Sequence, residues 1–169
     1  ISVASVLLSG AIGVPLAFVL HRYDFRGRRI VPALASAPVL LPPLVGVITF
    51  LFLYGESGII SRLIQSTFGL AQPWPRLRGV SAILFVHAYT MYVYFFMFVS
   101  AGLERLDAAM EEAAETLGAS GLQKLTRVTL PMLVPSLVGA SLVTFMWSMA
   151  SFSAPYIFGG GVRVLAVEI

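Results

Sequence analysis

Between Glu104 and Glu115 the chain sets five carboxylates, Glu104, Asp107, Glu111, Glu112 and Glu115, against one cation, Arg105. Leu103, Leu106, Met110, Ala113, Ala114 and Leu117 recur at spacings of three and four, the mark of one apolar helical stripe, so the acids fall on the opposite side. A polar face of net charge −4 offers recognition rather than bond-making. Gly118 follows, where a helix end favours a left-handed residue that glycine adopts at little cost. Ser120 and Gln123 then match a capping box that opens a second helix. Lys124 and Arg127 fall near the end of that helix, where cations suit the dipole, and Leu130-Pro131 is read as its stop. Two short helices joined by a sharp glycine turn make a lever, suited to docking in a groove on a partner protein.

Other chemistry is scarce. A P-loop needs Gly-x4-Gly-Lys-Ser/Thr, and the single lysine, Lys124, stands between Gln123 and Leu125. No Gly-x-Ser-x-Gly elbow occurs. Without cysteine there are no disulfides, Cys-ligated zinc or Cys nucleophiles. His21 and His87 are too distant to share a metal, and no metal site is expected; His87 reads as a hydrogen-bonded packing residue. Thr144, Ser148 and Ser151 share one helical face, and Tyr89 and Tyr92 neighbour each other near His87. Polar groups in an apolar setting must meet each other or water. These five either line a passage or bond adjacent helices.

The elements that hold these residues follow from composition. The 169 residues are 58% hydrophobic and 11% charged, with a mean hydropathy of +0.90. A water-soluble domain carries about 25% charged residues, so the bilayer must be part of the solvent. No charged side chain interrupts Ile1 to Leu20, Ile30 to Tyr54 or Val128 to Val162, and Gly79 to Leu103 holds only His87. Each run exceeds the roughly 20 helical residues that cross a hydrocarbon core. The second run carries Pro32, Pro38, Pro42 and Pro43, which kink a helix. Between runs two and three, Ile59, Ile60, Leu63, Ile64 and Phe68 suggest a short helix on the membrane surface, with Trp74 between prolines as an interfacial anchor. Lys plus Arg number four in residues 21–29 and three in 104–127, against three in the second loop and Arg163. This bias puts the acidic segment on the cytoplasmic side. It also explains the net charge of +3 better than affinity for nucleic acid. No initiator methionine or basic leader precedes the first run, which suggests a piece of a longer protein.

Glu112-Ala113-Ala114, then Gly118 after three residues, then Val128-Thr129-Leu130-Pro131 after nine more resembles the EAA signature of binding-protein-dependent ABC importer permeases. Isoleucine stands there where this chain has Val128. The likeness extends more loosely through Gly13-x-Pro15-x-Ala17, the basic turn and the proline-rich second run. Phe152 to Gly161 looks like the external gate region of the iron(III), polyamine, thiamine and phosphonate branch.

The resemblance implies an all-α, polytopic membrane domain, the core of a type I ABC importer permease, with about four of five expected spans within residues 1–169. It implies coupling helices at about 104–131, seated in a cytoplasmic ATPase subunit. Glu112 would pair with a basic group there or brace the turn; Ala113, Ala114, Gly118, Leu130 and Pro131 complete the set. ATP would lie on that subunit, with no cofactor held by this chain and no enzyme activity of its own. A periplasmic or lipid-anchored binding protein, a second permease domain and a bacterial inner-membrane location complete the expectation. A secondary transporter driven by an ion gradient is the alternative; it predicts acids inside the spans, and none occurs there. A membrane enzyme predicts clustered His, Asp or Glu, absent outside the acidic segment. A scaffold predicts no substrate-dependent ATPase activity.

Overall fold

In the computed structural model the described residues, 1–23, 30–55, 58–69 and 79–158, are helical with no strand among them. The arginines after Asp24, Trp74 with its prolines, and Gly159 to Gly161 lie outside these residues. The helices are α1 (Ser2–Arg22), α2 (Val31–Leu40), α3 (Pro43–Tyr54), α4 (Ile59–Phe68), α5 (Gly79–Glu104), α6 (Ala108–Thr116), α7 (Gly121–Lys124), α8 (Leu130–Met149) and α9 (Ser153–Phe158), with a π-helical turn, Leu125–Thr129, joining α7 to α8.

Four stretches are long and apolar enough to cross a membrane: Ser2–Arg22, Pro43–Phe68, Gly79–Glu104 and Gly121–Met149. The second is interrupted, because Gly55 is extended and closes α3. The pair α2 and α3, ten and twelve residues, spans about 33 Å at 1.5 Å per residue and makes the better second crossing. That crossing is broken, where the composition predicts one kinked helix. Leu41 and Pro42 both adopt extended ψ, 134°, because Pro42 disfavours helical geometry in the residue before it and the paired prolines supply no backbone donors. The fourth apolar run also stops short of its predicted end: α8 closes at Ala150 and α9 is a separate helix.

Helix α5 is the axis of the molecule, touching α1, α2, α3, α8 and α9. Its closest neighbour is α1, at Gly13. A Cβ built there would lie 2.4 Å from Tyr92 O and 2.9 Å from Phe96 N, so only glycine permits the two backbones to meet, a device common between membrane helices. Two apolar clusters flank the middle of α5. One joins Val47, Phe50, Ala82, Ile83, Val86, Ala154 and Phe158; the other joins Ala17, Leu20, Phe96, Val99, Leu103 and Leu133. Large apolar side chains point outward elsewhere, Leu7, Leu34, Phe52 and Met146 among them, as expected of faces solvated by lipid. Helix α4 is amphipathic, with Ile59, Leu63 and Phe68 exposed and Ser61 Oγ donating to Tyr54 O at 3.2 Å.

Candidate functional site

The acidic segment is not one helix. Helix α5 ends at Glu104, and Leu103 belongs to the apolar core rather than to a free stripe. Asp107 restarts the chain: its Oδ1 accepts from Ala109 N at 2.9 Å, an N-cap that satisfies one of the orphan donors of α6. At the other end Ala119 N donates to Ala114 O at 2.9 Å and Gly118 N to Glu115 O at 2.8 Å. This pair of bonds is a Schellman motif, with Gly118 at φ 78° in the left-handed region. Ala114 therefore serves the turn through its carbonyl.

The capping box is formed: Ser120 N donates to Gln123 Oε1 at 2.8 Å, and Gln123 N to Ser120 Oγ at 3.4 Å. Lys124 Nζ reaches back across the turn to Glu115. That hydrogen bond and the lysine's charge hold the Glu115 carboxyl below its ordinary range. Glu115, not Glu112, braces the elbow; Glu112 is exposed and has no partner among the described residues.

The second short helix does not end at Leu130-Pro131. It runs into α8 through the π turn, with Leu130 N donating to Leu125 O. A proline inside an α-helix clashes with the carbonyl four residues back. One extra residue in the turn before Pro131 widens the path, and the helix continues from Gly121 to Met149. The elbow is thus one piece with the fourth crossing. Met110, Leu117 and Leu122 are exposed on it, Leu117 at 88%, while Leu106 packs on the core.

At the far end of α8 lies a cavity of about 400 Å³. The α2–α3 break forms one wall (Pro38, Pro42, Pro43). Tyr89, Thr90 and Tyr94 of α5 form another, and Trp147 and Ala150 to Ala154 a third. None of the described side chains that line it is charged. Of the five residues read as a passage or as glue, Tyr89 and Ser151 line this cavity. Tyr92 instead donates to Ala35 O at 2.8 Å, pinning α2 to α5. Thr144 and Ser148 are buried against the neighbouring helices. Ser148 Oγ lies 3.3 Å from His87 Nδ1, and Thr144 Oγ1 has no hydrogen-bond partner among the described residues.

His87 is the hub that joins three segments. Ser5 Oγ of α1 sits 2.9 Å from Nδ1, and Ser151 Oγ sits 2.9 Å from Nε2. Ser9 Oγ donates to the His87 carbonyl at 3.4 Å. A neutral imidazole offers one donor and one acceptor, so it ties hydroxyls on both its edges without carrying charge into the bilayer. No group of three or more His, Asp or Glu able to hold a metal occurs among the described residues.

The family described as binding-protein-dependent transport system inner membrane component matches residues 11–169. The chain belongs to that family. Among its relatives, the molybdenum transport system permease protein ModB of Mycobacterium tuberculosis is 32% identical over 98% of this chain and 62% of its own length. The sulfate transport system permease protein CysT of Escherichia coli is 32% identical, over 95% and 56%. The ferric transport system permease protein FbpB of Actinobacillus pleuropneumoniae is 30% identical, over 98% and 25%. The chain spans a quarter to about three-fifths of these relatives' lengths. It is a multi-pass membrane protein of the permease kind, and the elbow just described carries the residues of its EAA signature.

Within this permease, sequence reasoning counted Asp107 and Glu115 only as acids of the polar face, missing the cap and the ion pair they make, and passed over Ser5 and Ser9. The Asp107 cap was open to reading, since Asp before an alanine-rich start is an N-cap pattern. Ser5 was not, because its partner lies 82 residues away.

Proposed function

We propose that this chain is the translocating subunit of an ABC importer in a bacterial inner membrane, and that a separate cytoplasmic ATPase drives it through the α6–α7 elbow. One observation carries the reading: the elbow is continuous with a membrane-crossing helix yet presents bare apolar side chains, Leu117 foremost. Apolar side chains so exposed on a polar-faced lever mark a binding surface. The acids Glu112 and Glu115 flank them and suit a basic rim on the partner. Ala113 and Ala114 keep the lever thin, Gly118 turns it, and Leu130 with Pro131 passes its motion to α8.

The cavity beside the α2–α3 break is the proposed passage for cargo, with Tyr89 and Ser151 on its wall; Tyr92, Thr144 and Ser148 hold the helices that shape it. Broken helices at mid-membrane are a recurring device of transporters. Cargo would arrive from a binding protein on the outer side, and a second permease domain would complete the pathway. The named relatives point to an inorganic ion as cargo.

Because these 169 residues hold no cysteine, Leu117→Cys gives them a single reactive site. Cross-linking of this variant to the ATPase in inner-membrane vesicles is the expected result. Labelling of Leu117→Cys by an impermeant maleimide from outside intact cells would place the elbow on the wrong side and end the reading. The cargo proposal is tested on the binding protein. Molybdate, sulfate or ferric citrate should raise its melting temperature, and a shift with organic amines alone would remove the inorganic class.

A further inference from the structure

The link between α8 and α9, Ala150 to Phe152, is not helical and forms one wall of the cavity. Among the described residues, helix α9 beyond it is seated by apolar contact, through Ala154 and Phe158 on Phe50 and Ile83. Phe152 and Tyr156 stack on each other and face outward, half or more exposed. Among the described residues, one side-chain hydrogen bond ties the link to a neighbouring helix. It runs between Ser151 Oγ and His87 Nε2, at 2.9 Å. The other edge of the same ring is held by Ser5 of α1 and Ser148 of α8. The ring therefore cannot follow the link if the link moves.

We propose, resting on the permease reading above, that the His87–Ser151 hydrogen bond is the latch of the outer gate. While it is made, the α8–α9 link closes the cavity toward the outer side. When it breaks, the link and α9 swing away at the non-helical stretch from Ala150 to Phe152 and admit cargo. His87 is a positioning residue here: it holds Ser151 and need not touch cargo. The chemistry fits a gate that cycles. A hydroxyl–imidazole bond between neutral groups has a modest net worth, because each partner finds water when the cavity floods. A charged pair in the same place would be far costlier to separate.

The test uses the assembled transporter, with Ser153→Cys on the cavity wall as a reporter of water access from outside. Ser151→Ala in that background should raise the rate of labelling by an impermeant maleimide at least threefold, and raise cargo-independent ATPase activity with it. Ser141→Ala, which removes only a bond to its own helix, should change neither. His87→Leu should behave like Ser151→Ala, whereas His87→Gln, whose amide still reaches Ser151, should restore slow labelling. Unchanged labelling in Ser151→Ala would overturn the latch. Failure of the parent protein to drive ATP-dependent uptake would overturn the permease reading instead, and the labelling comparison, which needs no transport, would still decide the latch.

Discussion

Gly118 turns the elbow in open space: a Cβ there would meet nothing within 4 Å, while φ is 78°. Substitution therefore acts through backbone strain, about 1–2 kcal/mol for an L-residue in the left-handed region, and through what the new side chain presents to a docked partner. Gly118→Val should lower co-purification with the ATPase at least tenfold with membrane insertion unchanged. Gly118→Asn, which tolerates this conformation better, should lose less, and Gly118→Asp should insert but not transport, since it adds charge to the docking face. Binding assays on the three variants, normalised to membrane content, check the order. Glu115 offers a titration. Its carboxyl is held low by Lys124, so the elbow gains stability from the pair above the unfolded carboxyl pKa and loses it as pH falls through the lowered folded value. Elbow protection in hydrogen exchange should stay level through neutral pH and drop only below the ordinary value of 4.5. In Lys124→Met the Glu115 titration, followed by NMR, should return to that value.

The π turn separates Gly121–Lys124 from α8 by one residue more than an α-helix would use. Deleting Thr126, which is exposed, should remove the widened turn and set the Pro131 ring against the carbonyl four residues before it, bending the elbow away from the α8 axis. Docking and uptake should both fail in a protein that still inserts, and normal uptake would mean that the π turn is not what carries the helix past Pro131. The apolar runs made the membrane helices legible, because about 20 uncharged residues have few other solutions. The glycine turn and the capping box were legible for the same reason: each is local chemistry. What escaped was the response of a helix to proline. Pro42 ended a helix whereas Pro131 was absorbed by widening one, and the difference lies in the turn before each, not in the proline. The roles of Tyr92, Thr144 and Ser148 were left open for a related cause. Nothing within a span says whether its hydroxyls meet a cavity or another helix, and Ser5 meets His87 only because Gly13 lets α1 lie against α5.

On the scale of the whole molecule, α5 carries the packing, and α8 is the element that the proposed mechanism sets in motion. Gly13→Leu would drive a side chain into the Tyr92 carbonyl and the Phe96 amide. Overpacking of this kind costs about 1–3 kcal/mol, and a lower thermal midpoint in detergent, with α6–α7 still able to bind the ATPase, is the expected signature. An unchanged midpoint would mean that α1 and α5 are not held at Gly13. The helix from Gly121 to Met149 has 29 residues, so it is about 44 Å long at 1.5 Å per residue, well beyond the thickness of a hydrocarbon core. A continuous helix of that length is a displacement amplifier. A tilt of about 5° at its cytoplasmic root carries the outer tip about 4 Å on the same geometry. That exceeds the lengths of the contacts that Ser151 and Ser148 make with His87, so a nucleotide-dependent shift too small to notice at the elbow is enough to part both hydroxyls from the ring, which stays with α5 and Ser5.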